Sequence, residues 1–182
     1  MDRPYRIVFS GRKTMALVVK PDESVEIRAP RRVSEKAALA FAASKEDWIA
    51  RQIERIRKRK ENLPVIREED RAYLTEKARK ILPEKISRYS QILRLVPSGV
   101  RITGAKTRFG SCSSKNSLSF SYRLMAYSDF AIDYVVVHEL CHIRYKNHGK
   151  LFYRLVSSVL PDYREAEKEL KGEKSSPVSG EL

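Results

Sequence analysis

The three histidines of this 182-residue chain lie close together in the sequence. His138 and His142 stand four residues apart in the stretch VVVHELCHIRYKNHG. On a helix that spacing places both imidazoles on one face, one turn apart, where they can bind the same metal ion. His148 follows six residues later, beyond the predicted end of the helix. A turn of the chain at Asn147 and Gly149 would bring it back as a third ligand.

Glu139, next to the first histidine, adds a candidate catalytic group. A catalytic zinc ion has three protein ligands and one open position, and it lowers the pKa of a bound water towards about 7. Glu139 is placed to take the proton from that water as general base and to return it to the leaving amine. We therefore predict one Zn²⁺ per chain on His138, His142 and His148, although imidazole ligands also suit other divalent metals.

Two other interpretations of the histidines are weaker. Surface or capping histidines are disfavoured by the apolar run VVV before His138, which indicates a buried helix whose polar groups need partners. A purely structural zinc site would have no use for Glu139. Cys141 should point away from the ligands as a core thiol. Cys112 either packs in the core or lines the cleft, because a fourth protein ligand would close the site.

The elements that must position these residues lie in the stretch 98–172, the predicted metal-binding core. VRIT and SLSFSY have the composition of strands, and GAKTRFGSCSSKN between them is predicted to be a loop. Ser128 is predicted to cap the histidine helix, which should end near KNHG. KLFYRLVSSVL and, after Pro161, DYREAEKELK are predicted to form two further helices.

The first half of the chain shows two different patterns. YRIVF, TMALVV and SVEIRA, separated by turn residues, predict an N-terminal antiparallel β-meander over residues 5–29, within a segment 1–33. The segment 34–97 is predicted to be helical, with a cap at Ser34 and a possible restart at Ser44. Pro83 should kink or break its second helix. Together, 1–172 are predicted to form a single α+β domain, followed by a disordered tail at 173–182.

The charge of the chain favours acidic partners. Lys and Arg number 37 against 23 Asp and Glu, which leaves a net charge of +14. The densest basic run, Arg55 to Lys60, is either a solvated helix end or a nucleic-acid contact. A basic surface of this kind makes nucleic acid a possible partner, but it does not exclude other acidic partners.

Other features of the sequence limit the class of protein to which the chain can belong. Two cysteines do not make a disulfide framework, and the opening MDRPYRIVFSGRK is charged and has none of the apolar run of a signal peptide. No stretch approaches the roughly 18 apolar residues of a membrane span. These observations predict a soluble cytoplasmic protein, with no membrane partner.

Several motifs resemble one family. RFGSCSSKNSLSFSYRL, IDYVVVHELCH, NHGKLF and LPDY together are similar to the YgjP-like metal-dependent hydrolases, relatives of the SprT-like zincins. MALVVKPDESVEIRAPRRVSE and DWI match the N-terminal half of that family, so the resemblance covers roughly residues 5–171. It implies a zincin-like metallopeptidase core, in which the active-site helix packs on a small, mostly antiparallel sheet. It also implies zinc on the three histidines and Glu139 as base.

The departures from the family pattern are small. The family often has Trp where Phe109 stands and Ser where Gly149 stands, and neither position is a proposed ligand. The spacing of the third histidine also matches the metzincins. The glycine of their motif is replaced here by Tyr145, which argues against membership of the metzincins proper.

The resemblance also suggests where a substrate binds. In zincins an edge strand beside the active helix commonly pairs with an extended peptide, and the candidates here are SLSFSY and the preceding segment that contains Ser111. Gly110 is either part of that strand or a turn glycine. Arg108 either contacts a substrate carbonyl or pairs with an acid.

Three other residues have two possible roles. Tyr145 and Tyr163 are candidates to stabilise an oxyanion, although tyrosines in such places more often pack. Asp162 either caps the helix after Pro161 or orients a ligand histidine.

The sequence therefore predicts an α+β zincin-like metallopeptidase. The first alternative is a nucleic-acid-associated protein whose protease activity acts on DNA-bound proteins, for which binding should weaken steeply with salt. The second is a structural zinc module without activity, which would unfold on chelation.

Overall fold

A computed structural model describes residues 5–173 of the chain. These residues form α-helices and two three-stranded sheets, so the predicted α+β class is confirmed. The chain divides into two compact units, 1–61 and 62–182. The single domain over 1–172 stays a prediction, and the predicted disordered tail lies, apart from Glu173, outside the described residues.

The first unit contains a sheet and two helices. Its elements are β1 (Tyr5–Ser10), β2 (Ala16–Val19), β3 (Val25–Pro30), α1 (Glu35–Ala43) and α2 (Glu46–Asn62). The hydroxyl of Ser34 accepts a hydrogen bond from the backbone N–H of Ala37 at 3.3 Å, which confirms the predicted cap. The predicted restart of the helix near Ser44 is also confirmed, because α1 ends just before this residue and α2 begins just after it.

The predicted antiparallel meander needs a correction. All three strands are present, but their order is β1-β3-β2, with β1 parallel and β2 antiparallel to β3. Five of the six residues of β3 are buried, among them Val25 and Ile27. A strand so buried lies in the middle of the sheet, with a neighbour on each edge. The turn signals located the strands, but they carry no information on which strands pair.

The second unit contains a second sheet and four α-helices. Its elements are α3 (Asp70–Leu93), β4 (Gly99–Thr103), β5 (Gly110–Cys112), β6 (Ser117–Ser121), a 3₁₀ turn (Tyr122–Ala126), α4 (Asp129–Arg144), α5 (Lys150–Val159) and α6 (Tyr163–Leu170). The sheet order is β4-β6-β5, with β4 parallel and β5 antiparallel to β6. The sequence predicted a mostly antiparallel sheet, and half of the pairings here are parallel.

In this unit one local prediction was wrong, and one of the two alternatives for Pro83 is excluded. Pro83 does not break α3, which is continuous from Asp70 to Leu93. Pro83 is on the exposed face, where water can satisfy the carbonyl that loses its helical donor, while the buried Leu82 and Ile86 anchor the helix. The stretch predicted as a loop contains the short strand β5, whose Gly and Ser residues have low strand propensity.

The core of this unit lies between α4 and one face of the sheet. Leu118 and Phe120 of β6 and Val136 and Leu140 of α4 are fully buried in one hydrophobic cluster. This packing explains the apolar run before His138 and holds α4 rigidly against the sheet. No helix in the described part of the chain is long and apolar enough to cross a membrane.

Candidate metal centre and active site

Helix α4 carries two of the three histidines and is fixed firmly at its start. The hydroxyl of Ser128 accepts a hydrogen bond from the N–H of Ala131 at 3.1 Å, as predicted. The carboxylate of Glu169 accepts from the backbone N–H and the hydroxyl of Ser128, at 2.8 and 2.6 Å. This acid also suits the positive end of the helix dipole. Each contact reduces movement of the helix on which the histidines stand.

The chain leaves α4 at Tyr145, and His148 then returns to the other two histidines. The Nε2 atoms of His138 and His142 are 3.2 Å apart, those of His142 and His148 3.1 Å, and those of His148 and His138 3.0 Å. The structure therefore brings together the three residues whose spacing suggested a site. They are a group of side chains that could hold a metal ion.

Hydrogen bonds at the far ring nitrogens orient two of these imidazoles. His142 Nδ1 donates to the carbonyl of Tyr145 at 2.9 Å. The hydroxyl of Tyr134 donates to Oε1 of Glu167 at 2.7 Å, so its oxygen accepts from His138 Nδ1 at 3.2 Å. In both rings the proton is on Nδ1 and the lone pair of Nε2 points into the centre of the cluster.

This arrangement fits a bound cation. Two Nε2 lone pairs that face each other at 3.2 Å repel one another unless a positive ion or proton lies between them. Burial, together with the neighbouring histidines, lowers the pKa of His138 to about 3, and burial also lowers that of His142. Neutral imidazoles are the form that binds metal. Nitrogen atoms on a tetrahedral zinc ion are spaced about 3.3 Å apart, close to the separations here.

Phe152 of α5 lies beneath all three rings. Its ring centroid is 4.9 Å from that of His138, 4.5 Å from His142 and 4.9 Å from His148, and its side chain is fully buried. The phenyl ring holds the imidazoles apart from bulk water on that side and limits their rotation. From the sequence, Phe152 was predicted only to lie in a helix, and its contact with the histidines was not foreseen.

Glu139, next to His138 in the sequence of α4, is buried, with only 6% of its surface exposed. Burial raises the pKa of its carboxyl group to about 7, although the charge of Arg108 acts in the opposite direction. A Cβ atom at position 110 would lie 2.6 Å from both Cγ and Oε1 of Glu139. Gly110 is therefore not a turn glycine. It lies in β5, and the absence of a side chain gives the carboxylate its space.

If Glu139 is the catalytic base that the sequence predicts, Gly110→Ala should lower activity by about 10²-fold, because displacing a catalytic group by about 1 Å has effects of that size. Metal content should stay unchanged, since the three atoms nearest to the new Cβ all belong to Glu139 and none to a histidine. Steady-state kinetics and metal analysis measure the two effects. The matched control is Gly104→Ala, whose new Cβ would meet only Tyr122 at 3.4 Å. Equal activity of both variants would contradict this role of Gly110.

The structure places the other candidate residues as follows. Ser111 is half-buried in β5, and Arg108 lies just before that strand, exposed and without an ion pair among residues 5–173. The ring of Tyr163 stacks between those of Tyr134 and Tyr153, which is a packing role. Asp162 is at the start of α6, but its side chain makes no capping hydrogen bond. Substrate contacts by Arg108, Gly110, Ser111, Tyr145 and Tyr163 stay predictions.

Sequence reasoning missed the pair Tyr134 and Glu167. Tyr134 precedes His138 by one helical turn, so the sequence contained a signal for a tyrosine on the ligand face. Glu167 lies on α6 and is brought to Tyr134 only by the packing of α6 on α4, and no local pattern predicts that contact. Through Tyr134, Glu167 helps to orient a candidate ligand histidine, which is the role that was considered for Asp162.

A comparison with known families identifies the chain. The sequence model described as "YgjP-like, metallopeptidase domain" matches residues 13–74 and 60–173. The chain belongs to the YgjP-like metallopeptidase family. A metallopeptidase uses a metal ion and acts on protein or peptide substrates, and the cluster of three histidines supplies a group that could bind the ion.

Two solved structures are similar to part of this YgjP-like chain. One is the metallopeptidase zymogen of Pyrococcus abyssi abylysin, with 21% sequence identity, a TM-score of 0.46, and coverage of 50% of this chain and 91% of that chain. The other is the metallopeptidase zymogen of Methanocaldococcus jannaschii jannalysin, with 21% identity, a TM-score of 0.45, and coverage of 50% and 94%. No curated protein matches the chain.

The cysteines of this YgjP-like protein are both free thiols. Cys141 is buried in the core on α4, as predicted, and burial raises its pKa. Cys112 is half-buried, and its sulfur lies 3.6 Å from Nζ of Lys146. Among the described residues, the group that could hold a metal consists of the histidines without Cys112.

The basic run on α2 is partly neutralised within its own unit. Arg57 and Lys60 pair with Glu23 at 2.8 and 3.7 Å, and Lys58 pairs with Glu54 at 3.4 Å. These pairs favour the interpretation of the run as a solvated helix surface. Nucleic-acid binding by this YgjP-like chain stays a prediction.

Proposed function

We propose that this metallopeptidase hydrolyses peptide bonds with one Zn²⁺ bound by His138, His142 and His148 and with Glu139 as general base. The observation that carries the proposal is the convergence of three Nε2 atoms at 3.0–3.2 Å, with a buried carboxylate next to the first ligand in α4. A zinc ion held there would polarise the substrate carbonyl and make water beside Glu139 more acidic.

Glu139 is suited to move a proton because burial and positive charge act on its carboxyl group in opposite directions. Burial raises the pKa of this group to about 7, and a cation held by the histidines would lower it and favour the carboxylate, which is the form that takes up a proton. The carboxylate takes a proton from the attacking water and gives it to the nitrogen of the departing amine. Gly110 leaves Oε1 the room that these two transfers require.

Strand β5 offers a place for the substrate. It is at the edge of its sheet, and Gly110 within it touches Glu139. An extended peptide that pairs with the free edge of β5 would pass beside the catalytic carboxylate. Backbone pairing of this kind selects an extended conformation more than a sequence, so it predicts preference for unfolded segments.

The test is metal analysis of the purified protein together with cleavage of unfolded protein and peptide substrates. We expect about one zinc ion per chain, loss of cleavage after chelation, and recovery on addition of Zn²⁺. Protein that contains no metal and cleaves equally well before and after chelation would contradict the proposal. Loss of folding on chelation, with no cleavage by the metal-loaded protein, would favour the structural zinc module.

Tyr134→Phe tests how the first ligand is held. Without the hydroxyl, His138 Nδ1 loses its acceptor and Glu167 loses its donor. Hydrogen-bond partners of metal-binding histidines commonly contribute about 10–100-fold to metal affinity, and we expect Tyr134→Phe to lower the affinity by that factor. Competition with a chromophoric chelator measures it.

Tyr163→Phe is the matched control for this prediction. It keeps the stacked ring, and its hydroxyl has no bond to a histidine in the described structure. A metal affinity of Tyr134→Phe equal to that of the control would show that the hydroxyl does not support the ligand.

A further inference from the structure

One face of the sheet in the second unit is polar from edge to edge. In the strand register Ser119 of β6 lies opposite both Arg101 of β4 and Ser111 of β5, and Ser121 lies opposite Thr103. Residues that lie opposite one another point to the same side of a sheet. Leu118 and Phe120 alternate with these residues and point into the core. We call the surface formed by Arg101, Thr103, Ser111, Ser119 and Ser121 the polar face.

A pocket of about 90 Å³ lies on the polar face. The segment that connects β4 to β5 forms its wall, and the hydroxyl of Ser121 holds that segment by donating to the carbonyl of Ala105 at 2.7 Å. The residues that line the pocket are Arg101, Thr103, Ala105, Arg108, Phe109, Gly110, Ser111, Ser119 and Ser121. Two guanidinium groups and four hydroxyl groups line it, and no carboxylate does.

Arg101 and Arg108 have guanidinium N–H groups that are available to bind a ligand. Nε of Arg101 donates to the hydroxyl of Ser119 at 2.7 Å, which directs the guanidinium over the sheet. Neither Arg101 nor Arg108 forms an ion pair within residues 5–173. A guanidinium group has five N–H donors in a planar fork that matches a carboxylate. Two of the four hydroxyls, those of Thr103 and Ser121, already donate to backbone carbonyls, so the two guanidinium groups supply most of the donors for a small anion.

The size and position of the pocket indicate which anion. Its volume admits a carboxylate group, whereas sites for whole small molecules are commonly about 300–1,000 Å³. Gly110 and Ser111 of β5 form one side, and the same Gly110 touches Glu139 on the opposite face of the sheet. The pocket and the catalytic carboxylate therefore lie on the two sides of one edge strand.

A peptide paired with β5 would present side chains to both sides. Successive side chains of a strand point to opposite faces, so residues beside the one that faces Glu139 point towards the polar face. We propose that the polar-face pocket binds a carboxylate of the peptide substrate and makes this enzyme prefer acidic residues at such positions. This inference rests on the proposed peptidase function, because it places the substrate on β5.

The proposal specifies a spacing as well as a charge. Acidic residues should be favoured at one position, or at two positions separated by a single residue, since only alternate side chains reach the polar face. A general attraction to the net charge of +14 would favour acidic residues everywhere and would be screened by salt. The arginine variants described below, compared with a charge-matched control, distinguish the two effects.

The experiment measures binding of blocked peptides to metal-loaded Glu139→Gln protein by fluorescence anisotropy at 0.15 M salt. One pool of labelled decapeptides has Glu at every second position, a second has Gln there, and a third has the same Glu residues in adjacent pairs. A fourth pool has Gln and a free C-terminus, which tests a terminal carboxylate as the source. We expect the first or the fourth pool to bind about tenfold or more tightly than the second.

Two sets of variants connect this preference to the pocket. Arg101→Gln with Arg108→Gln should remove the preference and change binding of the Gln pool less than about twofold. Arg108→Gln alone should weaken the preference and keep the fold, because this side chain is exposed and forms no ion pair within residues 5–173. The charge-matched control is Arg79→Gln with Arg154→Gln, both exposed on helices of the same unit and outside the pocket.

Two outcomes would overturn the proposal: binding of the first and fourth pools no tighter than binding of the second, or an equal effect of the control variant on the preference. Equal binding of the adjacent-pair and alternating pools would assign one acidic position to the pocket, and weaker binding of the adjacent pairs would assign two. A different result is also possible to recognise: the arginine variants could lose DNA binding and keep the preference for acidic peptides. That result would assign the pocket to nucleic-acid phosphate instead. Because binding is measured without turnover, the peptidase proposal can fail separately. In that case the wild type would not cleave the first pool, although the alternating acidic peptides still bound through the pocket.

Discussion

Replacing Glu139 by Gln should lower kcat about 10²–10⁴-fold, while the protein keeps its fold and its metal. General bases contribute effects of this size. The side chain is buried against Gly110, and the amide is of nearly the same size as the carboxyl group, so the packing should be preserved. The amide cannot accept and release the proton. Single-turnover cleavage of a peptide substrate, with metal analysis of the same sample, measures both consequences.

A graded control strengthens this test. Glu139→Asp keeps the carboxylate but withdraws it by one methylene group, and it should retain more activity than Glu139→Gln. Activity of Glu139→Gln within tenfold of the wild type would remove this residue from the mechanism. If the variant also lost its metal, the loss of activity would reflect damage to the site rather than the missing base.

Removing the imidazole of His148 should weaken metal binding sharply and lower the metal content of the purified protein. His148 is exposed and lies outside the helix that holds the other two histidines, so His148→Ala should leave the fold intact. The loss of one nitrogen of three should lower the affinity by roughly 10²-fold or more, since even partners beyond the ligands contribute about 10–100-fold. Metal stoichiometry after gel filtration, and the affinity from chelator competition, measure the effect.

Lys150→Ala is a suitable control for this variant. Lys150 is exposed at the start of α5, two residues from His148, and its amine does not belong to the candidate ligand group. It should retain the wild-type stoichiometry. If His148→Ala bound metal as tightly as the control, the ion would need only the two histidines of α4 from this cluster, and the proposed third ligand would be wrong.

A helix, the turn that follows it and a second helix are all needed to bring the three histidines together and support their rings. The helix places His138 and His142 on one face, but no residue of the same helix can approach their Nε2 atoms from a third direction. The chain must leave α4 at Tyr145, and its carbonyl at that point orients His142. His148 then enters the cluster just before α5, whose Phe152 supports all three rings.

Much of this arrangement could be predicted from local patterns. The four-residue spacing of His138 and His142, the cap at Ser128 and the buried run before the first histidine all follow from helix periodicity and capping. These signals lie within one element, where the geometry of the backbone fixes the distance between side chains. For the same reason the existence of the strands in the first unit was predicted correctly, whereas their order was not.

Only the tertiary structure decided how the elements combine around the site. It placed β5, a short stretch of Gly, Ser and Cys, against α4, and it gave Gly110 its role of leaving space for Glu139. It also brought Glu167 of α6 to Tyr134, and the two arginines of the polar face to one pocket. These contacts join residues that are distant in sequence. Their distances are set by packing between elements, and no periodicity within an element encodes them.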